Sequence, residues 1–124
     1  MIRIFLSIFL LLIVESSIVS PTIEIKSVDM DIMTGASIDC SKFEQAFKSN
    51  GIRIKKIERR RAVDKFLSEV KLLSVFEDKT DTDTRAIILL KYEDHVDTIC
   101  ADRFSLCSNG TCYALTNKLR RTIW

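Results

Sequence analysis

Six residues, Cys107-Ser108-Asn109-Gly110-Thr111-Cys112, constrain this chain more tightly than any other stretch. Asn-Gly is the strongest short signal for a two-residue hairpin, because both central positions of that turn need positive φ. With Asn109-Gly110 at the turn, Ser108 faces Thr111 and Cys107 faces Cys112. Ser108 and Thr111 are then the hydrogen-bonded pair, and the two cysteines are the non-hydrogen-bonded pair. Side chains of such a pair lie close, at the separation a disulfide needs. The chain has 4 cysteines, so Cys40 and Cys100 remain. Four cysteines permit three connectivities, with free thiols a further alternative. Hairpin geometry favours Cys107–Cys112 together with Cys40–Cys100. The second bridge closes the longer loop and in the chain-entropy model stabilises more, on the order of 4 kcal/mol. The spacing of Cys100, Cys107 and Cys112 is not the paired C-x-x-C of zinc modules or redox sites, so no metal or cofactor is expected there.

Disulfides persist in oxidising compartments, and the N-terminus reads as an address. Met1-Ile2-Arg3 is basic, Ile4 to Val14 is apolar apart from Ser7, and Glu15 to Pro21 turns small and polar. That is the layout of a secretory signal. The apolar run is too short for a hydrocarbon core of roughly 30 Å, which needs about 20 helical residues. The expectation is a signal peptide at residues 1–20 and one domain at residues 21–124, exported to the periplasm or outside the cell. The cleavage site lacks an Ala-x-Ala, and a cut after Ser20 leaves Pro21 first. An uncleaved anchor over residues 4–19, tethering an accessory subunit to the membrane, is therefore the alternative. Net charge is +2, too balanced to point to nucleic acid.

Thr22 to Met33 alternates, but its phase slips between Ile25 and Val28, which requires a bulge or two short strands. Ser41 to Ser49 reads as a short helix, with Asp39 or Ser41 as cap and Asn50-Gly51 as stop. Ile52 to Ile57 is a short strand with a basic outer face. Arg60 to Phe76 is the clearest helix, with Val63, Phe66, Leu67, Val70 and Leu73 on one face. Glu77 to Thr84 reads as a solvated polar loop. Arg85 to Tyr92 is apolar on both faces and marks a central, covered strand. Glu93-Asp94-His95 turns the chain, and Val96 to Phe104 returns beside it. Past the cysteine hairpin, Thr116 caps a closing helix carrying Leu119 and Ile123. The expected fold is α+β: a small, mainly antiparallel, disulfide-stabilised sheet with two or three helices on one face. Cystatin-like and ferredoxin-like wraps both fit this order.

Three clusters could carry chemistry. His95, the only histidine, has Asp94 and Asp97 beside it. One histidine cannot build a two-histidine metal site, and residues across a turn are usually just solvated, so no catalytic role is expected. Asp78, Asp81 and Asp83 fail the calcium-loop pattern, since Arg85 occupies the fifth place and no Gly follows. Arg53, Lys55, Lys56, Arg59, Arg60 and Arg61 are offset only by Glu58. No aromatics interleave them, which argues against nucleic acid. The plain reading is a solvated strand edge whose lysines block aggregation. The functional reading is a binding face for an acidic protein or an anionic surface. Asn109-Gly110-Thr111 is also a glycosylation sequon, placed on the turn.

Asp83-Thr84-Arg85, the strand ending at Tyr92, Val96-Asp97-Thr98-Ile99-Cys100, Asp102-Arg103-Phe104, Asn109-Gly110 and Tyr113 resemble small exported proteins of unknown function from Bacteroidetes-type bacteria. The likeness spans Thr82 to Trp124 and implies a compartment, not an activity. The Q-x-V-x-G segment of cystatin protease inhibitors is absent. The expected function is a non-enzymatic exported domain that binds a protein or a surface. The alternatives are the tethered subunit above and a small enzyme or protease-inhibitor-like domain.

Overall fold

The computed structural model describes residues 21–124, and the leader reading of residues 1–20 lies outside the described residues. The apolar run from Arg85 forms β3 (Ala86–Lys91), which has a neighbour on each side. β1 (Thr22–Ser27) and β4 (Val96–Ala101) both pair antiparallel with it. β2 (Arg53–Ile57) lies outside β1, while β5 (Ser105–Ser108) and β6 (Thr111–Ala114) continue beyond β4. The result is a six-stranded antiparallel sheet in the order β2-β1-β3-β4-β5-β6. The helices are α1 (Phe43–Ala46), preceded by a 3-10 turn at Cys40–Lys42, α2 (Arg60–Lys71) and α3 (Asn117–Ile123). This is a small, disulfide-stabilised α+β fold.

Period-two alternation along β3 divides the core. Ile88 and Leu90 join Ile23 and Ile25 beneath Val63 and Phe66 of α2 and Leu119 and Ile123 of α3. Ile87 faces the other way, against Val28, Phe43 and Phe47. Two helices thus cover one face, and the crossing segment that carries α1 covers part of the other. Neither the bulge nor the second short strand expected over Thr22–Met33 forms: β1 ends at Ser27 and pairs in unbroken register on both sides, so the slip in the sequence is only a change in which face is covered. Ile23 and Ile25 serve the helix-covered layer, and Val28 serves the opposite one. Trp124 ties the layers together, its indole N–H donating to the Val28 carbonyl at 2.8 Å.

The hairpin forms at Asn109 (φ 52°) and Gly110 (φ 81°), with Cys107 opposite Cys112 and Ser108 opposite Thr111. Both bridges are present, Cys107–Cys112 across the hairpin and Cys40–Cys100 over 60 residues of chain. The register places them side by side. Ile87 lies opposite Cys100, Cys100 opposite Cys107, and Cys107 opposite Cys112, so both disulfides occupy one transverse row of the sheet.

Besides the first strand, four elements differ from the sequence reading. The long helix stops at Lys71, and Leu72 is 84% exposed. Residues 74–76 leave it to run beside β6, where Val75 bridges Tyr113. Strand pairing overrides a helical pattern there. The helix expected at Ser41–Ser49 shrinks to the 3-10 turn and one α-turn, because Cys40 is pinned to Cys100 and Gly51, at φ 70°, redirects the chain. The returning strand ends at Ala101. Asp102 then accepts the amides of Phe104 and Ser105 through Oδ1, each at 2.8 Å, and this turn separates β4 from β5. The loop read as solvated over Glu77–Thr84 is not so at its end, where Thr82 and Thr84 are buried.

Candidate functional site

The six basic residues singled out in the sequence lie along β2 and the start of α2, and all six are exposed. β2 ends the sheet, so its outer side has no strand neighbour among the described residues. Its pairing with β1 divides the charges between two faces. Arg53 and Lys55 lie opposite Ser27 and Ile25, on the helix-covered side, whereas Lys56 lies opposite Glu24, on the other. The sequence treated these residues as one face; the pleat wraps them around an edge. Ile54 lies between them and is 59% exposed. Arg59 occupies the extended position before α2, and Arg60 and Arg61 open the helix. No acidic residue lies in that first turn to offset them.

The Lys55 ammonium donates to the Thr122 carbonyl at 2.6 Å, at the C-terminal end of α3, where the helix dipole favours a cation. Glu24 is paired with Lys91. The hydrogen bond from Lys91 outweighs burial and holds the Glu24 carboxyl below its ordinary range, with Lys56 among the nearby cations that assist. Lys26 bonds Glu44 at 2.6 Å, which raises its pKa. Arg53 and Lys55 flank a hollow of about 420 Å³ that reaches Ile123 and Trp124. On the opposite side of Ile54, Ile52, Gln45 and Lys48 line a hollow of about 640 Å³. The arrangement presents positive charge and a backbone edge, with apolar surface between.

A third concavity, of about 470 Å³, lies on the α1 side of the sheet. Ile87, Leu89 and Thr98 are among its lining residues, together with Asp39, Asp81 and Ser108. Cys40, Cys100 and Cys107 also border it, all oxidised, so it presents no thiol. The Ser41 hydroxyl bonds Asp39 at 2.6 Å and lowers its pKa.

His95 lies on the β3–β4 turn, its side chain 52% exposed. Its Nδ1 is 2.7 Å from Asp94 and its Nε2 3.8 Å from Asp97, and its ring stacks on Tyr92. The bond to His95 lowers the Asp94 pKa. This trio is an open surface cluster, and other residues line the concavity. Asp78, Asp81 and Asp83 do not converge on a cation site. Among the described residues no group of three or more metal-ligating side chains is placed to hold a metal. Asp83 instead grips Arg85, with Nη1 to Oδ1 at 2.8 Å and Nη2 to Oδ2 at 3.2 Å.

Arg85 is the important residue that the sequence reading passed over. It is 5% exposed. Beyond Asp83 it reaches the Ile32 carbonyl at 3.1 Å, the Thr34 hydroxyl at 3.1 Å and the Thr84 carbonyl at 3.0 Å. Its guanidinium also lies 5.3 Å from the Phe47 ring centroid. Alternation alone would have put Arg85 on the exposed side with Asp81 and Asp83; the break falls at Arg85 itself, where Thr84 and Arg85 are both buried before β3 begins.

Both disulfides are compatible with an oxidising location outside the cytoplasm, and among the described residues no helix is long and apolar enough to cross a membrane. Comparison of the chain with protein-family models, curated proteins and solved structures gives no match.

Proposed function

We propose that this protein is an exported, non-catalytic binding domain that takes an acidic protein partner at the basic edge formed by β2 and the start of α2. The observation that carries the reading is the placement of Arg53, Lys55, Lys56, Arg59, Arg60 and Arg61, all exposed, around one sheet edge. Their field attracts carboxylates and speeds encounter at low salt. The leader and the two bridges support export, and the exposed position of His95 supports a role without catalysis.

The test is cross-linking in the envelope fraction with the wild-type chain and with Arg59, Arg60 and Arg61 all changed to Glu. The reading expects a cross-linked protein that disappears in the reversed variant and weakens as salt rises through about 0.15 M, where the Debye length is about 8 Å. An unchanged cross-linking pattern removes this face from the account. Intact mass decides the leader. A mature N-terminus between Ser17 and Thr22 supports release by cleavage, and retention of residues 4–19 supports the tethered alternative.

A further inference from the structure

The fold treats its two sheet edges differently. Beside β6 the chain supplies its own cover. Val75 bridges Tyr113, the Phe76 amide donates to the Cys112 carbonyl at 2.8 Å, and the Ala114 amide donates to the Ser74 carbonyl at 2.9 Å. Beside β2 no such segment runs among the described residues. An uncovered edge offers a row of unpaired N–H and C=O groups, a template for another strand. β2 has the charges that discourage promiscuous pairing, yet it keeps an exposed isoleucine at its second position.

We infer that β2 accepts an acidic, extended segment of a partner protein as a seventh strand of the sheet. The inference rests on the reading of the basic edge as the binding surface and specifies how that surface is used. Main-chain hydrogen bonds give strand addition its affinity, and alternate side chains give it selectivity. On the helix-covered side a guest strand meets Arg53 and Lys55, which select acidic residues. On the other side it meets Ile54, beside the hollow of about 640 Å³ lined by Ile52 and Gln45, and then Lys56. The fitting guest alternates carboxylates on one face and carries an apolar residue on the other. Arg59 and Arg61 extend the positive surface past the end of the strand and favour a guest that stays acidic beyond it.

Charge also selects against a second copy of this chain. Antiparallel pairing of β2 with a second copy about Ile54 would set Arg53 opposite Lys55 on both sides of the axis, and like charges across a strand pair destabilise it. An anionic lipid surface would use the charges but neither the backbone edge nor Ile54.

The test uses the full exported chain with both bridges intact. The probe is a synthetic peptide of about six residues, a typical strand length, with Glu at alternate positions and one Val between. A matched peptide carries N-methyl groups on alternate amides, which removes main-chain donors and leaves charge unchanged. We expect the first peptide to bind with slowed amide exchange along β2. We expect the N-methyl peptide to bind about tenfold more weakly or worse, the equivalent of one or two lost hydrogen bonds. Ile54→Asn, a charge-neutral change at an exposed position, should weaken the first peptide. Equal binding of the two peptides, abolished by the Arg59, Arg60 and Arg61 reversal, overturns strand addition and leaves the basic-edge reading standing. Binding of neither peptide, with cross-linking unaffected by the reversal, overturns both. Concentration-dependent dimerisation through β2 overturns the choice of partner. Binding of phosphatidylglycerol vesicles without peptide binding does the same.

Discussion

Arg85 and Asp83 form the residue pair on which the second apolar layer depends. Arg85 is buried at the foot of β3 and reaches Ile32 and Thr34, while Asp83 receives the Ile38 amide at 2.8 Å through the same Oδ1 that meets Arg85. The crossing segment is thereby fastened to the start of the central strand. Removing the carboxylate leaves a buried cation short of one partner, although four other oxygens remain, the Asp83 carbonyl among them. Asp83→Ala should therefore cost on the order of 2 kcal/mol in urea denaturation. Asp81→Ala, on an exposed neighbour, should stay within about 0.5 kcal/mol. Equal effects would mean that the Arg85 network contributes little. Acid should act through the same carboxylate. Burial pushes the Asp83 pKa up, but the Ile38 amide and the Arg85 guanidinium outweigh it and leave the value below the ordinary range. Glu24 is lowered mainly by its Lys91 hydrogen bond. A depressed folded pKa gives stability that is complete above the unfolded value, about 4 for a carboxylate, and is lost as pH falls through the folded value. Stability measured against pH should thus fall below about pH 4, and Asp83→Ala should make that fall shallower.

At the scale of elements, the parts legible from local chemistry are those whose signals act over a few residues. Asn109-Gly110 makes its turn, and Thr116 caps α3 by accepting the Leu119 amide at 3.2 Å. Gly51 and Asn50 end the α1 region, and the apolar run from Ala86 becomes the central strand. The parts that were not legible are set by neighbours distant in sequence. Ser74 to Phe76 continues a helical pattern, but the open side of β6 takes it into strand pairing. The Cys40–Cys100 bridge was expected, but not its effect of anchoring the crossing segment to the sheet and shortening the helix expected at Ser41–Ser49. The two bridges should differ in stabilising effect. Replacing Cys40 and Cys100 by Ser should cost about 4 kcal/mol, and replacing Cys107 and Cys112 about 2 kcal/mol, because the unfolded chain regains more entropy when the longer loop opens. Chemical denaturation of the two double variants measures the difference. A larger loss from the hairpin pair would rule out loop closure as the dominant cause.

At the scale of the molecule, the sheet separates two apolar layers that are held by different means. α2, α3 and the strands pack Val63, Phe66, Leu119 and Ile123 over Ile23, Ile25 and Ile88 mainly by apolar burial, with polar ties at the rim from Lys55 to Thr122 and from Lys118 to Glu69. The opposite layer is small, centred on Phe43, Phe47, Val28 and Ile87, and relies on the Arg85 network and the long bridge to keep its cover in place. Loss of the long bridge should therefore loosen one side first. In the Cys40→Ser, Cys100→Ser variant, hydrogen exchange should quicken at the Ile38 and Thr84 amides before the amides of α2. Simultaneous exchange on both sides would mean that the layers open as one unit.

The amino-acid sequence by itself determined the class of fold, the hairpin and its bridge, the central strand and the basic composition of one strand. Each of these follows from alternation, a turn dipeptide or the count of a residue type, which act locally. Only the tertiary structure decided that the basic strand ends the sheet, that its charges divide around an edge, and that the opposite edge is covered by residues 74–76. It also turned Arg85 from an apparent strand flank into a buried anchor. Strand order and burial depend on which apolar faces find each other across the whole chain. That choice is made by summed packing over many residues, and no single stretch of sequence contains it.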